Sequence, residues 1–428
     1  MIGTSAQDRA ATQELTVAYK CGYFLYVVAL LIYPYLFVVH HFFPNTYSFG
    51  VEKSTAVAFV TLALMLAFLL QAKEIVSRLG KKDLIFYLFI FGSLLAIRFL
   101  VYQETITVLL QYRLFVFPII YAGLACHYLA GQAKKILAQK IIIWQTIVQA
   151  LFGIFLWNFV YTGKIHWAMF KLWEDGGRMG GTLMSSNLFP GFLLLGAFML
   201  IGPYGKARLP HWFKIILLLI LTVAIIYSNS RWPTLIALVI LFLAIKEAIV
   251  ATKNYFSKTM AIAIIATCLL AGSWILTGAF EQTVDRAINE DQDLRLIKYE
   301  LGLNNVLDNA VNGIFIGATR EQMKSRVMVV YDEGLKFSDN SYILLMELLG
   351  IFITLLYILL FASIIRRTCV IRGNLLVLFY FAVSLFVNSA ISWDLWLFYL
   401  FATLYSLQPD EPPSPLTTES PISLKPSI

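Results

Sequence analysis

Apolar runs, each close to the ~20 residues needed to cross a hydrocarbon core, recur along the chain with short polar breaks between them. They fall at 19–42, 54–72, 83–101, 106–128, 138–161, 187–203, 212–229, 232–250 and 259–280, and again at 341–365, 373–391 and 393–408. The fold class this predicts is an all-α membrane protein of about 12 transmembrane helices. The one long polar stretch between spans, 281–340, separates helices 9 and 10. Within it, 293–307 carries Leu294, Ile297, Leu301 and Val306 at helical spacing, which predicts an amphipathic helix. The chain thus divides into a polar N-terminal segment (1–18), spans one to nine (19–280), the large loop (281–340), spans ten to twelve (341–408) and a tail (409–428). The first segment has no short apolar core followed by small residues, so it does not read as a removed signal peptide. Pro409, Pro412, Pro413, Pro415 and Pro421 mark the tail as disordered.

Composition agrees. Of 428 residues, 59% are hydrophobic and only 14% charged, whereas a soluble domain carries roughly 25% charged residues. Cys21, Cys126, Cys268 and Cys369 stand singly, with no C-x-x-C pair or Cys/His cluster, which argues against a disulfide framework or a cysteine-bound metal.

The net charge of +8 would suit a nucleic-acid partner, but its placement speaks for topology. Lys73, Arg78, Lys81 and Lys82 follow the second span; Lys134, Lys135 and Lys140 surround the start of the fifth. Lys206, Arg208 and Lys214 follow the sixth, Lys246, Lys253 and Lys258 the eighth, and Arg366, Arg367 and Arg372 the tenth. The alternate short loops are nearly bare. By the positive-inside rule both termini are cytoplasmic, no nucleic-acid surface is implied, and 162–186 and 281–340 lie on the far side.

Arginine on that far side is the main chemical signal. Arg178 sits in Gly176-Gly-Arg-Met-Gly-Gly181, Arg231 in the tight turn Tyr227-Ser-Asn-Ser-Arg-Trp232, and Arg295 in the large loop. Guanidinium groups hold diphosphate through paired hydrogen bonds, and a glycine-rich segment lets backbone approach a ligand. Snorkelling or helix capping is the plainer role for any one of them. Arg98 and Arg113 lie inside apparent spans near their outer ends, with Glu104 a partner for either, and structural pairing is the preferred reading. Asp339-Asn-Ser-Tyr342 ends the loop before the tenth span. Asp339 there suits a general base for a hydroxyl, or an N-cap, and Asn187 carries the same ambiguity before the sixth. No phosphate-binding Gly-x-x-x-x-Gly-Lys-Ser/Thr, His-Glu-x-x-His or Gly-x-Ser-x-Gly motif occurs, which argues against an ATP-driven pump or a zinc hydrolase.

Three stretches together resemble the bacterial O-antigen polymerase and O-antigen ligase superfamily of polytopic membrane glycosyltransferases. Gly177 to Asn187 looks like the family's Arg-x-x-Gly…Asn stretch, and Ser230-Arg231 like its Ser-Arg signature. Arg295 to Asn305, followed by Asp339-Asn-Ser-Tyr-(x)6-Leu-Gly350, looks like its loop arginine, His/Asp-Asn turn and glycine-bearing helix. The resemblance implies an enzyme of the bacterial inner membrane with a periplasmic large loop. Its donor would be a glycan on undecaprenyl diphosphate, its acceptor a glycan hydroxyl or lipid A–core, and it would need no cofactor. Asp339, Arg295 and Arg231 would be catalytic, with Arg178, Asn187 and Asn340 on the substrate. Such polymerases work among membrane lipids beside a flippase and a chain-length regulator. The ligases typically carry histidine where this chain has Asp339, which favours polymerase; Arg295 to Asn305 also looks like enterobacterial ligases, so both stay open. A lipid-linked oligosaccharide flippase is the alternative of another class, and predicts charge near midplane and broken helices.

Overall fold

A computed structural model describes residues 17–35, 55–100, 103, 113–161, 183, 188–202, 208–228, 230–251, 299–300, 302–304, 306–307, 317, 340–368, 371–387 and 394–408. Among them the regular structure is entirely helical. The helices are α1 (Val17–Ile32), α2 (Thr55–Leu70), α3 (Ala72–Leu79), α4 (Lys81–Leu100), α5 (Arg113–Tyr128) and α6 (Gln132–Phe155). They continue with α7 (Leu188–Ile201), α8 (His211–Tyr227), α9 (Arg231–Ala251), α10 (Ser341–Thr368), α11 (Ile371–Val387) and α12 (Asp394–Ser406). Every expected span coincides with one of these helices except 259–280, which lies outside the described residues.

Among the described residues five helical stretches are long and apolar enough to cross a membrane: Val17–Tyr35, Lys81–Leu100, Gln132–Phe159, Trp232–Ala251 and Ser341–Arg366. The bent pair Phe59–Leu70 and Ala72–Leu79 is a sixth candidate, and α5, α7, α8, α11 and α12 hold shorter apolar helices. Two of these, α7 and α12, form the centre: every residue from 188 to 200 and from 395 to 407 is buried. Gly196 of α7 allows this packing, since a Cβ there would lie 1.9 Å from Thr146 Oγ1 of α6. The outer helices bury one stripe and leave the other bare. In α4 the buried stripe is Leu84, Tyr87, Phe91, Leu94 and Arg98, while Ile85, Phe86, Phe89 and Leu100 face outward. Apolar surface on this scale is stable only against lipid or another apolar partner.

Basic segment 73–82 is more structured than the loop expected there. After α2 the chain bends by 82° into α3, an amphipathic helix of about two turns that buries Ile75 and Leu79. In the large loop, the described residues between 299 and 307 are helical and Val306 is buried.

Side-chain contacts fix the direction of the main helices. Gly202 beyond α7 packs on Leu407 beyond α12, and Ile201 lines a pocket with Leu243, Ala244 and Val250 of α9. Helices α7, α9 and α12 therefore run the same way. The antiparallel pairing of α4 with α10 follows from Arg98 meeting Leu348 and Tyr87 meeting Tyr357 (ring centroids 5.9 Å). At the end where α5 closes and α6 opens, Arg78 donates to the Cys126 carbonyl (3.2 Å), Lys134 to the Tyr19 hydroxyl (2.8 Å) and Lys135 to the Gln408 carbonyl (3.3 Å). The heads of α9, α10 and α12 and the end of α4 lie at the opposite end.

Candidate functional site

Helix interruptions govern the polar chemistry of this bundle. In an apolar surround a carbonyl released from its i+4 partner must find another donor. At three interruptions such carbonyls are satisfied by side chains of other helices. Pro34 has no N–H for the Leu30 carbonyl, and Gln145 Nε2 of α6 donates to both Leu30 and Leu31 (2.7 Å each), with Tyr399 donating to Gln145 Oε1 at 2.7 Å. At the α2–α3 bend Gln71 N turns to Phe68 O, and the Tyr128 hydroxyl donates to Ala67 O (2.7 Å). The third lies in α10, where Gly350 is non-helical at φ 78°, ψ 163°. There Arg98 Nη2 donates to Leu348 O at 2.8 Å.

The α10 break is the candidate site, because charge and the large loop meet on it. Arg98 is 1% exposed and Glu347 5%. A Cβ on Gly302 would lie 3.1 Å from Glu347 Oε1, so the carboxylate faces the loop helix. Gly317, at φ 80°, sits directly on α10: a Cβ would fall 2.5 Å from Glu347 O and 2.6 Å from Leu348 O. Both glycines are required by close approach, and Gly317 also by its left-handed backbone.

The snorkelling position considered for Arg98 is corrected by these contacts: the guanidinium turns inward to a backbone carbonyl, which suits the preferred structural role. Asn340 lies at the head of α10, 3% exposed, with Oδ1 accepting from Tyr342 N (2.9 Å) and Ile343 N (3.3 Å). The N-cap role weighed for Asp339 thus falls to its neighbour Asn340, whose amide oxygen takes the two first-turn N–H groups. Arg231 opens α9 after the turn 228–230, as tight as the sequence implied. Ser230 is buried there and its carbonyl accepts from Thr234 N and Oγ1 (3.1 and 2.8 Å). Arg231 and Asn340 are thus brought to one end of the bundle. Arg178, Asn187, Arg295 and Asp339 lie outside the described residues.

Glu347 escaped the sequence reading. Its signal was visible: it is the one acidic residue of 341–365, three positions before a glycine. A buried glutamine stripe, Gln139, Gln145 and Gln149 of α6, was likewise legible as polar residues within an apolar run. Among the described residues no group of three or more His, Cys, Asp or Glu side chains is placed to hold a metal ion.

Among the described residues the architecture is an all-helical bundle with helices long and apolar enough to cross a membrane, a broken α10 and an amphipathic α3. No protein-family model, curated protein or solved structure matches the chain.

Proposed function

We propose that the protein is a surface-polysaccharide polymerase of the O-antigen type, acting on a glycan carried by undecaprenyl diphosphate. In this reading about 12 spans cross the bacterial inner membrane, both termini are cytoplasmic, and 281–340 is periplasmic. The observation that carries it is the placement of Arg231 and the Asn340-capped head of α10 at one end, opposite the cluster of Arg78, Lys134 and Lys135. Basic residues on the cytoplasmic side make the Arg231 end the periplasmic one.

The chemistry is glycosyl transfer. An acceptor hydroxyl oxygen attacks the anomeric carbon, and the bond from that carbon to the diphosphate oxygen breaks with its electron pair on the oxygen. Arg231 and Arg295, with Arg178 and Asn187 beside them, stabilise the charge where it develops. Asp339 accepts the hydroxyl proton. The ligase reading differs only in its acceptor, lipid A–core.

The test is the lipopolysaccharide ladder after deletion of the gene and complementation. Core bearing a single repeat identifies a polymerase; bare core with long lipid-linked chains identifies a ligase. Arg231→Ala and Arg295→Ala should each fail to restore the ladder while still inserting in the membrane. Full restoration by Asp339→Asn would remove its role as base.

A second reading, a lipid-linked oligosaccharide flippase, gains from the α10 break beside buried Arg98 and Glu347, since broken helices and buried charge mark transport paths. Reconstituted vesicles separate the two: translocation of the donor without glycan transfer would select the flippase.

A further inference from the structure

Arg98 ties α4 to α10 through a charged donor, where the bundle uses an amide at Leu30 and a hydroxyl at Ala67. The surroundings indicate what that tie does. The half-helix 341–349 is cut from the rest of α10 at Gly350, so its own ladder no longer fixes its direction relative to residues 351–368. It is also the platform for the loop, through Gly302 against Ile343 and Glu347 and Gly317 against Glu347 and Leu348. At its head stands Asn340, whose cap sets where the chain enters the helix.

We propose that Arg98 is a positioning residue for the transfer reaction: its guanidinium holds the half-helix 341–349 at one angle, so that the docked loop and the head of α10 form one rigid unit. The inference rests on the transferase reading above. A planar guanidinium suits the task because its donors leave in fixed directions, whereas an ammonium or hydroxyl can swivel. Glu347 belongs to the same unit, its carboxylate set against the loop helix at Gly302.

The experiment uses the full chain in lipid nanodiscs, with amide hydrogen exchange as the first readout. Arg98→Gln should raise exchange in 341–349 and in the loop helix near 302–307 on the order of tenfold, the worth of one charge-assisted hydrogen bond. Exchange in 353–366, beyond the break, should stay as in the wild type. Gly317→Ala reaches the same contact from the loop side with Arg98 intact, and should loosen the same two segments. Unchanged exchange in both variants, or a uniform rise along all of α10, overturns the clamp.

The second readout is transfer from purified undecaprenyl-diphosphate-linked glycan. Arg98→Gln should lower kcat on the order of tenfold with KM shifted less than about threefold, because donor contacts are untouched. Arg98→Lys should recover part of kcat. Loosened exchange with unchanged kcat overturns the positioning role. A wild-type protein inert towards every such donor overturns the transferase reading instead, while the exchange pattern still decides the clamp.

Discussion

The bend between α2 and α3 and the break in α10 meet the same requirement with opposite chemistry. At the bend, Tyr128 donates a neutral hydroxyl to Ala67 from a pocket that Gly22 keeps open, since a Cβ there would lie 1.9 Å from the tyrosine oxygen. At the break, Arg98 donates from a charged group to Leu348, and two loop glycines close over the joint. A neutral hydrogen bond contributes about 1 kcal/mol net. A charge-assisted one contributes about 1.5–3 kcal/mol net. The guanidinium also sends its donors in fixed directions, and it stands beside the loop and the head of α10 while the neutral donor stands by the amphipathic α3.

The largest effect should come from Gly317→Val. It combines a left-handed backbone, costly for any side chain, with a Cβ set against backbone atoms that cannot move aside. The expected loss is about 3 kcal/mol from strain and overpacking together, read as a fall in Tm in detergent with the loop helix losing exchange protection. Arg98→Leu should cost about 2 kcal/mol by leaving the Leu348 carbonyl without its donor. A variant as stable as the wild type would mean that the α10 break needs no cross-helix donor, and the parallel with the bend would fail. Gln145→Leu should cost somewhat less, about 1.5 kcal/mol, by stripping the donor from Leu31, since the Tyr399 hydroxyl still donates to the Leu30 carbonyl. Because that network is neutral and away from the loop, transfer should be unchanged once the protein is folded.

Much of the bundle was legible in the sequence because apolar runs of spanning length have one outcome in lipid. The helix positions, the tight Ser228–Ser230 turn and the capped start of α10 all follow from local pattern. The interruptions do not. Gly350 lies in a run of spanning length, and glycine in a span is compatible with a straight helix; only the pressure of Gly317 and the reach of Arg98 from another helix show why the ladder opens there. Glu104, the carboxylate expected as a partner of Arg98, lies outside the described residues. The contact to a carbonyl 250 positions away in sequence is one that no local pattern encodes. The bend at Gln71 was masked in the same way, since lysines after a span read as a loop until Ile75 and Leu79 are seen to be buried.

The smallest effect, and the sharpest control, is Tyr128→Phe. The ring is fully buried and its packing survives the change, so only the hydrogen bond to Ala67 is lost, at about 1 kcal/mol. The fall in Tm should be correspondingly modest, and transfer should stay at the wild-type rate because the bend positions nothing at the far end of the bundle. A double-mutant cycle adds a check on geometry. Gly22→Ala should be severe in the wild type, where the new methyl meets the Tyr128 oxygen, and milder by about 1 kcal/mol in the Tyr128→Phe background, where that oxygen is gone. Were Tyr128→Phe instead to slow transfer as much as Arg98→Gln, the two interruptions would be mechanically coupled through the bundle, and charge would no longer distinguish the one that positions from the one that is merely satisfied.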